Sequence, residues 1–417
     1  MAMIRKFGQI NVANQLYRGI NLFLHKNSSI PNVILRVKSG ISMKYPPTTF
    51  HQLIISRTKT SKAEIEYHDI NEPTQTSDTT EIELPDETHS YYDRHYNQPF
   101  YVDKTLLIKE LFKKSHVLIN APSGFGKTLN MDMVRRFVEI ELDKHGEAIV
   151  LDVNEDKCSL KEVQTVSKNF KLFQGKNISK EKEIIFKHFG KYPTIYVNFN
   201  IVGKRNFEQI LDRLRTAIHR AFREHTYLRN SSFWDNRGSD KITFMKYYGS
   251  EEFRLLTKEE ISFGLVFLSE ILHDYHVKPV YVFIDDFEVP VELEPYQKSM
   301  DYPDREKTIE LFKVIIRDLM KENKFVDRSL LNACKQRDSL LSEWANNVKL
   351  CAFEQRHPFS EFYGFNEDEI KVMLEKAGLV DNLNEIKKIL DSYYAKLRNG
   401  DGIKIYSPSA IIQHIIN

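Results

Sequence analysis

Cysteine is scarce in this 417-residue chain: three residues, Cys158, Cys334 and Cys351, odd in number and widely spaced. That excludes a disulfide framework and a zinc site built on paired cysteines, and it suits a reducing compartment. Long apolar runs are missing as well. No stretch approaches the ~20 residues needed to cross a bilayer, and the start lacks the compact apolar segment and small-residue cleavage site of a secretory signal. The chain reads as soluble and intracellular. Net charge is small too, 60 Lys and Arg against 58 Asp and Glu, so there is no global footprint of a dedicated nucleic-acid binder. There is no internal repeat. With 41% apolar residues, the length suffices for one large domain or two ordinary ones with tails.

Charge of one sign is missing locally. Residues 1–63 hold ten Lys and Arg and no Asp or Glu; residues 64–90 hold nine carboxylates and no Lys or Arg. The first stretch, with apolar residues between Arg5, Lys6, Arg18 and Lys26, reads either as a mitochondrial targeting segment or as a disordered tail. Without targeting, cytoplasm or nucleus is the expected location. The acidic stretch lies amid Thr, Ser and Pro and cannot bury enough to fold alone, so residues 64–97 read as a disordered linker.

From about Phe100 the patterns alternate. A helical stretch over 104–113 precedes the short apolar run His116-Val117-Leu118-Ile119, and a long helix is expected from Thr128 to about Leu142. Tyr192–Phe199 reads as a second strand, Phe207–His225 as an amphipathic helix, Val280–Ile284 as a third strand and Ser329–Ala333 as a fourth. Beyond Phe359 the chain reads as helical apart from a short C-terminal piece. Short apolar strands alternating with amphipathic helices predict an α/β fold, a parallel sheet covered on both faces.

Between the first strand and the long helix lies Ala121-Pro122-Ser123-Gly124-Phe125-Gly126-Lys127-Thr128. A triphosphate needs several backbone N–H groups converging on it, and only a loop with little side-chain bulk lets the backbone approach closely. Gly124 and Gly126 supply that freedom. Lys127 would reach the β- and γ-phosphates, Thr128 would offer its hydroxyl to Mg²⁺, and the following helix, with Leu129 in its first turn, directs its positive end at the anion. Ala121 stands where the usual signature has its first glycine.

The third strand ends in Asp285-Asp286. An acid at such a strand end can hold Mg²⁺, and a neighbouring acid can orient the attacking water, so Asp285 takes the metal role and Asp286 that of the base. The bland alternative for the pair is a helix N-cap or turn. No histidine pair has ligand spacing; His188 and His219 read as surface or packing residues, Cys334 and Cys351 as packed thiols. Arg213, Arg215, Arg220 and Arg223 read as a solvated helix face, with nucleic-acid binding as the alternative.

Phe100-Tyr101-Val102-Asp103-Lys104-Thr105, Gly124–Met131 and Ile284-Asp285-Asp286-Phe287-Glu288-Val289-Pro290 together resemble the AAA-ATPase-like family of P-loop ATPases. Phe362-Tyr363-Gly364-Phe365 and Tyr406-Ser407-Pro408-Ser409-Ala410-Ile411 are similar to its C-terminal motifs. The resemblance implies a three-layer αβα sandwich over residues 98–355, followed by a C-terminal helical lid over 356–417. It further implies that residues 121–129 hold ATP, that Lys127 and Asp286 are catalytic, and that Thr128 and Asp285 hold Mg²⁺. Asp103, Lys104 and Thr105 would shape the mouth of the pocket, and Asn332 would act as a polar sensor. Two departures stand out: Ser123 and Gly124 replace a pair of arginines, and Asp286 replaces Glu. The expected function is a Mg²⁺-dependent ATPase coupling turnover to movement of the lid, with an oligomer or protein partner left open. The alternatives are a nucleotide-sensing scaffold that binds ATP with little hydrolysis, and a P-loop kinase.

Overall fold

The computed structural model describes residues 101–143, 146–149, 167–200, 206–287, 300–334, 345–353, 355–376, 384, 399 and 401–416, with three short segments nearer the amino terminus. Contacts divide the chain into two units, Met1–Glu83 and Leu84–Asn417. In the first, the described residues are the strands Arg36–Lys38, Ile55–Ser56 and Ile65–Glu66; the first pairs parallel with the second and antiparallel with the third. Apart from these, the basic leader over 1–63 and the acidic linker over 64–97 fall outside the described residues.

The second unit is built on five parallel strands: β1 (His116–Asn120), β2 (Thr194–Asn198), β3 (Val280–Asp285), β4 (Val326–Ala333) and β5 (Lys349–Ala352). Their order across the sheet is β2-β3-β4-β1-β5. All six residues of β3 are buried, as a strand inside a doubly covered sheet requires. The α/β expectation holds, with β5, a short edge strand, as an addition to the four strands anticipated.

Side-chain alternation divides the sheet into two faces. On one, Leu118, Val282, Ile284 and Leu331 pack under α5 (Phe207–Arg223), α7 (Lys258–His276) and α8 (Tyr302–Met320). On the other, Val117, Ile119, Phe283, Leu330 and Cys351 pack under α1 (Leu107–Leu111), α2 (Lys127–Val138), α3 (Lys168–Phe173) and α4 (Lys182–His188). The stripe Phe207, Ile210, Leu211, Leu214, Ile218 and Phe222 of α5 is buried as its 3.6-residue period predicts. Asn206 caps α5 through the Gln209 N–H, and a capping box of Thr257 and Glu260 opens α7. One further helix, α6 (Gly238–Tyr248), lies between β2 and β3 in the sequence and packs against α5, with Tyr247 also stacked on Phe267 of α7. The expected long helix stops at Val138, because Glu139 is extended and its N–H closes on Arg135.

After β5 the described chain is less helical than its sequence suggests. It holds a 3-10 turn at Ser360–Phe362, α9 (Glu367–Lys376) and α10 (Pro408–Ile416). Phe365 and Tyr406 form an isolated antiparallel bridge between the two stretches.

Candidate functional site

The carboxyl ends of β1 and β3 meet α2 at one place. Gly124 and Gly126 both take left-handed backbone, φ +79° and +84°, so the loop after β1 curls, and α2 starts at Lys127 with its unpaired N–H groups at that curl. The two glycines answer different needs. A Cβ on Gly126 would meet nothing within 4 Å, so that side of the loop is open; a Cβ on Gly124 would fall 2.3 Å from Ser409 Oγ. Ala121 is buried in the α2-side core and its N–H donates to Ala333 O at 3.1 Å, so the methyl in place of a glycine is accommodated by packing. Pro122 is half-buried and Ser123 exposed, while Phe125 is buried edge-on to Phe353 and Leu129 packs against the same core.

Lys127 is 7% exposed, and its ammonium donates to Ala121 O at 2.7 Å, Pro122 O at 2.9 Å and Cys334 Sγ at 3.1 Å. It thus lies across its own loop. Cys334, expected as a packed thiol, is half-exposed beside this lysine, because β4 ends next to the loop.

Across the α2 face the carboxyl ends form a polar row. Register aligns Asn198 of β2 with Asp285 of β3, and Asn332 of β4 with Ile119 of β1. Thr128 Oγ1 donates to Asp285 Oδ2 at 2.7 Å, and Asn332 Nδ2 donates to Asp285 Oδ1 at 3.1 Å. Burial pushes the Asp285 carboxyl above its ordinary range; the hydrogen bond from Thr128 opposes that rise, the charge of Asp286 adds to it, and Asn332 again opposes it. Asn332 Oδ1 is buried with no partner among the described residues, an acceptor left open beside the acid.

Asp286 takes left-handed backbone, φ +50°, uncommon for a residue with a side chain. Its Oδ2 accepts from Asn198 Nδ2 at 2.9 Å and from Asn200 Nδ2 at 3.5 Å. Asn198 Oδ1 accepts from Asn200 N at 2.9 Å and an Arg213 guanidinium nitrogen at 3.2 Å, which fixes the amide with its nitrogen toward Asp286. Sequence reasoning missed Asn198, Asn200 and this use of Arg213. The one available signal was a polar residue ending an apolar strand. Arg213 is therefore tied to β2, Arg215 donates to Leu256 O and pairs with Asp212, and Arg223 lies over the Tyr248 ring; Arg220 is the exposed member of the four.

The residues before α1 fasten neighbouring segments. Asp103 Oδ1 accepts from Thr105 N and Oγ1, and Oδ2 accepts from Asn177 N at 2.7 Å, fastening the 3-10 turn Asn177–Lys180. Lys104 donates to Glu361 O at 2.8 Å and pairs with Glu369 of α9. His188 and His219 are packing residues, stacked on Phe112 and Phe253. Glu288, Val289 and Pro290 lie outside the described residues.

Residues 88–150 match the model of the AAA-ATPase-like family, described as a predicted AAA-ATPase. The match spans the curled loop and α2, whereas Asp285, Asp286, Asn332 and the two C-terminal motifs lie beyond it. No curated protein gives a match. The matched segment thus carries two of the motifs noted in the sequence, Phe100–Thr105 and Gly124–Met131, and nucleotide binding is the property that family suggests. No helix among the described residues is long and apolar enough to cross a membrane, and no cluster of three metal-ligating His, Cys, Asp or Glu side chains occurs among them. The oxygens of Thr128 and Asp285 fit Mg²⁺, which takes one or two protein oxygens and completes its shell with water and substrate phosphates.

Proposed function

We propose that the protein binds ATP with Mg²⁺ and hydrolyses it, and that binding and turnover move a C-terminal segment over residues 356–417 relative to a core over 98–355. The observation that carries this is the 2.7 Å contact between Thr128 and Asp285, which brings the hydroxyl after the loop lysine to the acid of a strand 157 residues away. Residues 121–129 would surround the phosphates, with the ammonium of Lys127 exchanging two loop carbonyls for phosphate oxygens, a stronger charge-assisted pairing. Thr128 and Asp285 would hold Mg²⁺, which when bound neutralises charge on the β- and γ-phosphates. Asp286 would orient the attacking water and take its proton, and Asn332 would offer Oδ1 to the same cluster.

The test is a thermal-shift series with ATP, GTP and non-hydrolysable analogues, with and without Mg²⁺, alongside phosphate release. ATP binding unchanged by Lys127→Ala would overturn the reading. A second reading, ATP binding with little turnover, is supported by the tie of Asp286 to Asn198 and Asn200. Both lie on the side of β3 away from β4 and β1, where the loop stands. Absence of Mg²⁺-dependent phosphate release from protein that binds ATP would favour it. The basic leader supports mitochondrial import; a diffuse cytosolic signal from residues 1–63 fused to a fluorescent reporter would rule that out.

A further inference from the structure

A loop that turns its N–H groups toward an anion turns the carbonyls of the same planar peptides the other way, and those carbonyls need donors of their own. Here the donors come from the C-terminal residues. Gly124 O accepts from Ser407 Oγ at 3.2 Å and from Ser409 N at 3.4 Å, and Phe125 O accepts from Gly364 N at 3.1 Å. These carbonyls share peptide planes with the N–H groups of Phe125 and Gly126, so holding the first pair outward aims the second pair inward. One turn into α2, Asn130 Nδ2 donates to Phe362 O at 2.9 Å.

The two stretches that make these contacts act as one piece. Phe365 N donates to Tyr406 O at 2.9 Å and Tyr406 N to Phe365 O at 2.8 Å, and Lys104 ties the first stretch to the start of the unit through Glu361 O and Glu369. The packing leaves no slack. A Cβ on Gly364, whose φ is +80°, would lie 2.2 Å from Ile405 Cγ2 and 2.9 Å from Phe125 Cδ1. Ser407 is 4% exposed, and its hydroxyl also meets Ser409 Oγ at 3.0 Å.

We propose that Ser407, Ser409 and Gly364 are positioning residues for nucleotide: they hold the Gly124 and Phe125 carbonyls outward, so that the loop's N–H groups face a triphosphate they themselves never touch. This rests on residues 121–129 being the nucleotide site. Because coupling between two parts of a molecule is reciprocal, ATP in the loop tightens the C-terminal piece as much as that piece tightens ATP. Gly124 is then a glycine for two reasons, its backbone angle and the closeness of Ser409.

The experiment uses full-length protein, calorimetry with ATP and Mg²⁺, and residue-resolved amide hydrogen exchange. Ser407→Ala, which removes one donor to Gly124 O, is expected to weaken ATP binding roughly three- to tenfold. In the wild type, ATP is expected to slow exchange at the Gly364 and Ser409 N–H groups. A purely structural role would lower the melting temperature of Ser407→Ala while leaving the affinity of the folded protein and the exchange response unchanged, and that result overturns the proposal. Should Ser407→Ala fail to fold, the wild-type exchange response decides alone, and an unchanged rate at both amides overturns it. Failure of the wild type to bind ATP at all would instead bring down the functional reading on which this one stands.

Discussion

The two ends of the sheet are built on opposite principles. At the amino end a chain of rings ties the strands together: His188 stacks on Phe112 at 3.8 Å and bonds Tyr192 OH at 2.9 Å, Tyr192 stacks on Tyr281 at 4.2 Å, and Arg328 donates to Tyr281 OH. Burial, with the charge of Arg328 adding to it, pushes the His188 pKa down to about 4. At the carboxyl end the polar groups meet one another, a buried acid has its carboxyl pushed up, and Asn332 Oδ1 has no donor among the described residues. A group buried unpaired costs stability, and under the proposed function ATP with Mg²⁺ would offset that cost at the carboxyl end. On the proposed function, the difference makes one end a fastening and the other a receptacle.

Breaking each end separately sharpens that contrast. Lys127→Ala should weaken ATP binding by on the order of a hundredfold, since it removes a charged donor; calorimetry reads it. Asp286→Asn should spare ATP affinity and slow phosphate release by on the order of 10² or more, as loss of a general base does. Tyr281→Ala at the other end should do the reverse, costing about 3–5 kcal/mol in urea unfolding with ATP affinity intact. If affinity fell together with stability, the two ends would not be independent.

A further effect is that of pH. His225, beneath the start of β2, is buried, with no partner for Nε2 among the described residues; burial pushes its pKa down to about 3 from an ordinary 6.5, with His276 and Arg135 adding to the fall and a backbone hydrogen bond with Thr194 opposing it. The unfolded chain therefore takes up a proton that the folded one refuses. Stability is full above pH 6.5 and falls as the pH drops toward 3, by at most about 1.4 kcal/mol per pH unit from this residue. His225→Gln should flatten that limb of the stability profile, measured by urea unfolding between pH 4 and 7.

Much of this arrangement was legible in the sequence because it is local. An apolar run, two glycines and a Lys-Thr pair place the loop between β1 and α2, and the apolar run Val280–Ile284 announces the strand that carries Asp285 and Asp286. What could not be read depends on which strands become neighbours. Asn198 looks like any strand-end residue until β2 lies beside β3, and Arg213 looks like one arginine among four until α5 crosses Asn198 and Asn200. Ser407 and Ser409 were read as part of a motif, but their contact with a glycine some 280 residues earlier has no signature in spacing. β5 escaped because it is four residues long, with one neighbour in the sheet.

The place of β4 has a consequence in time. β4 separates β1 from β3, yet it begins at residue 326, long after both have been made. Until it arrives, β1 and β3 each lack the neighbour that pairs with both of them in the sheet. At ribosomal speeds of 5–20 residues per second, the chain that ends at residue 128 waits roughly ten to forty seconds for residue 326. The C-terminal serines come later still, so the donors to Gly124 O are made after all five strands of the sheet.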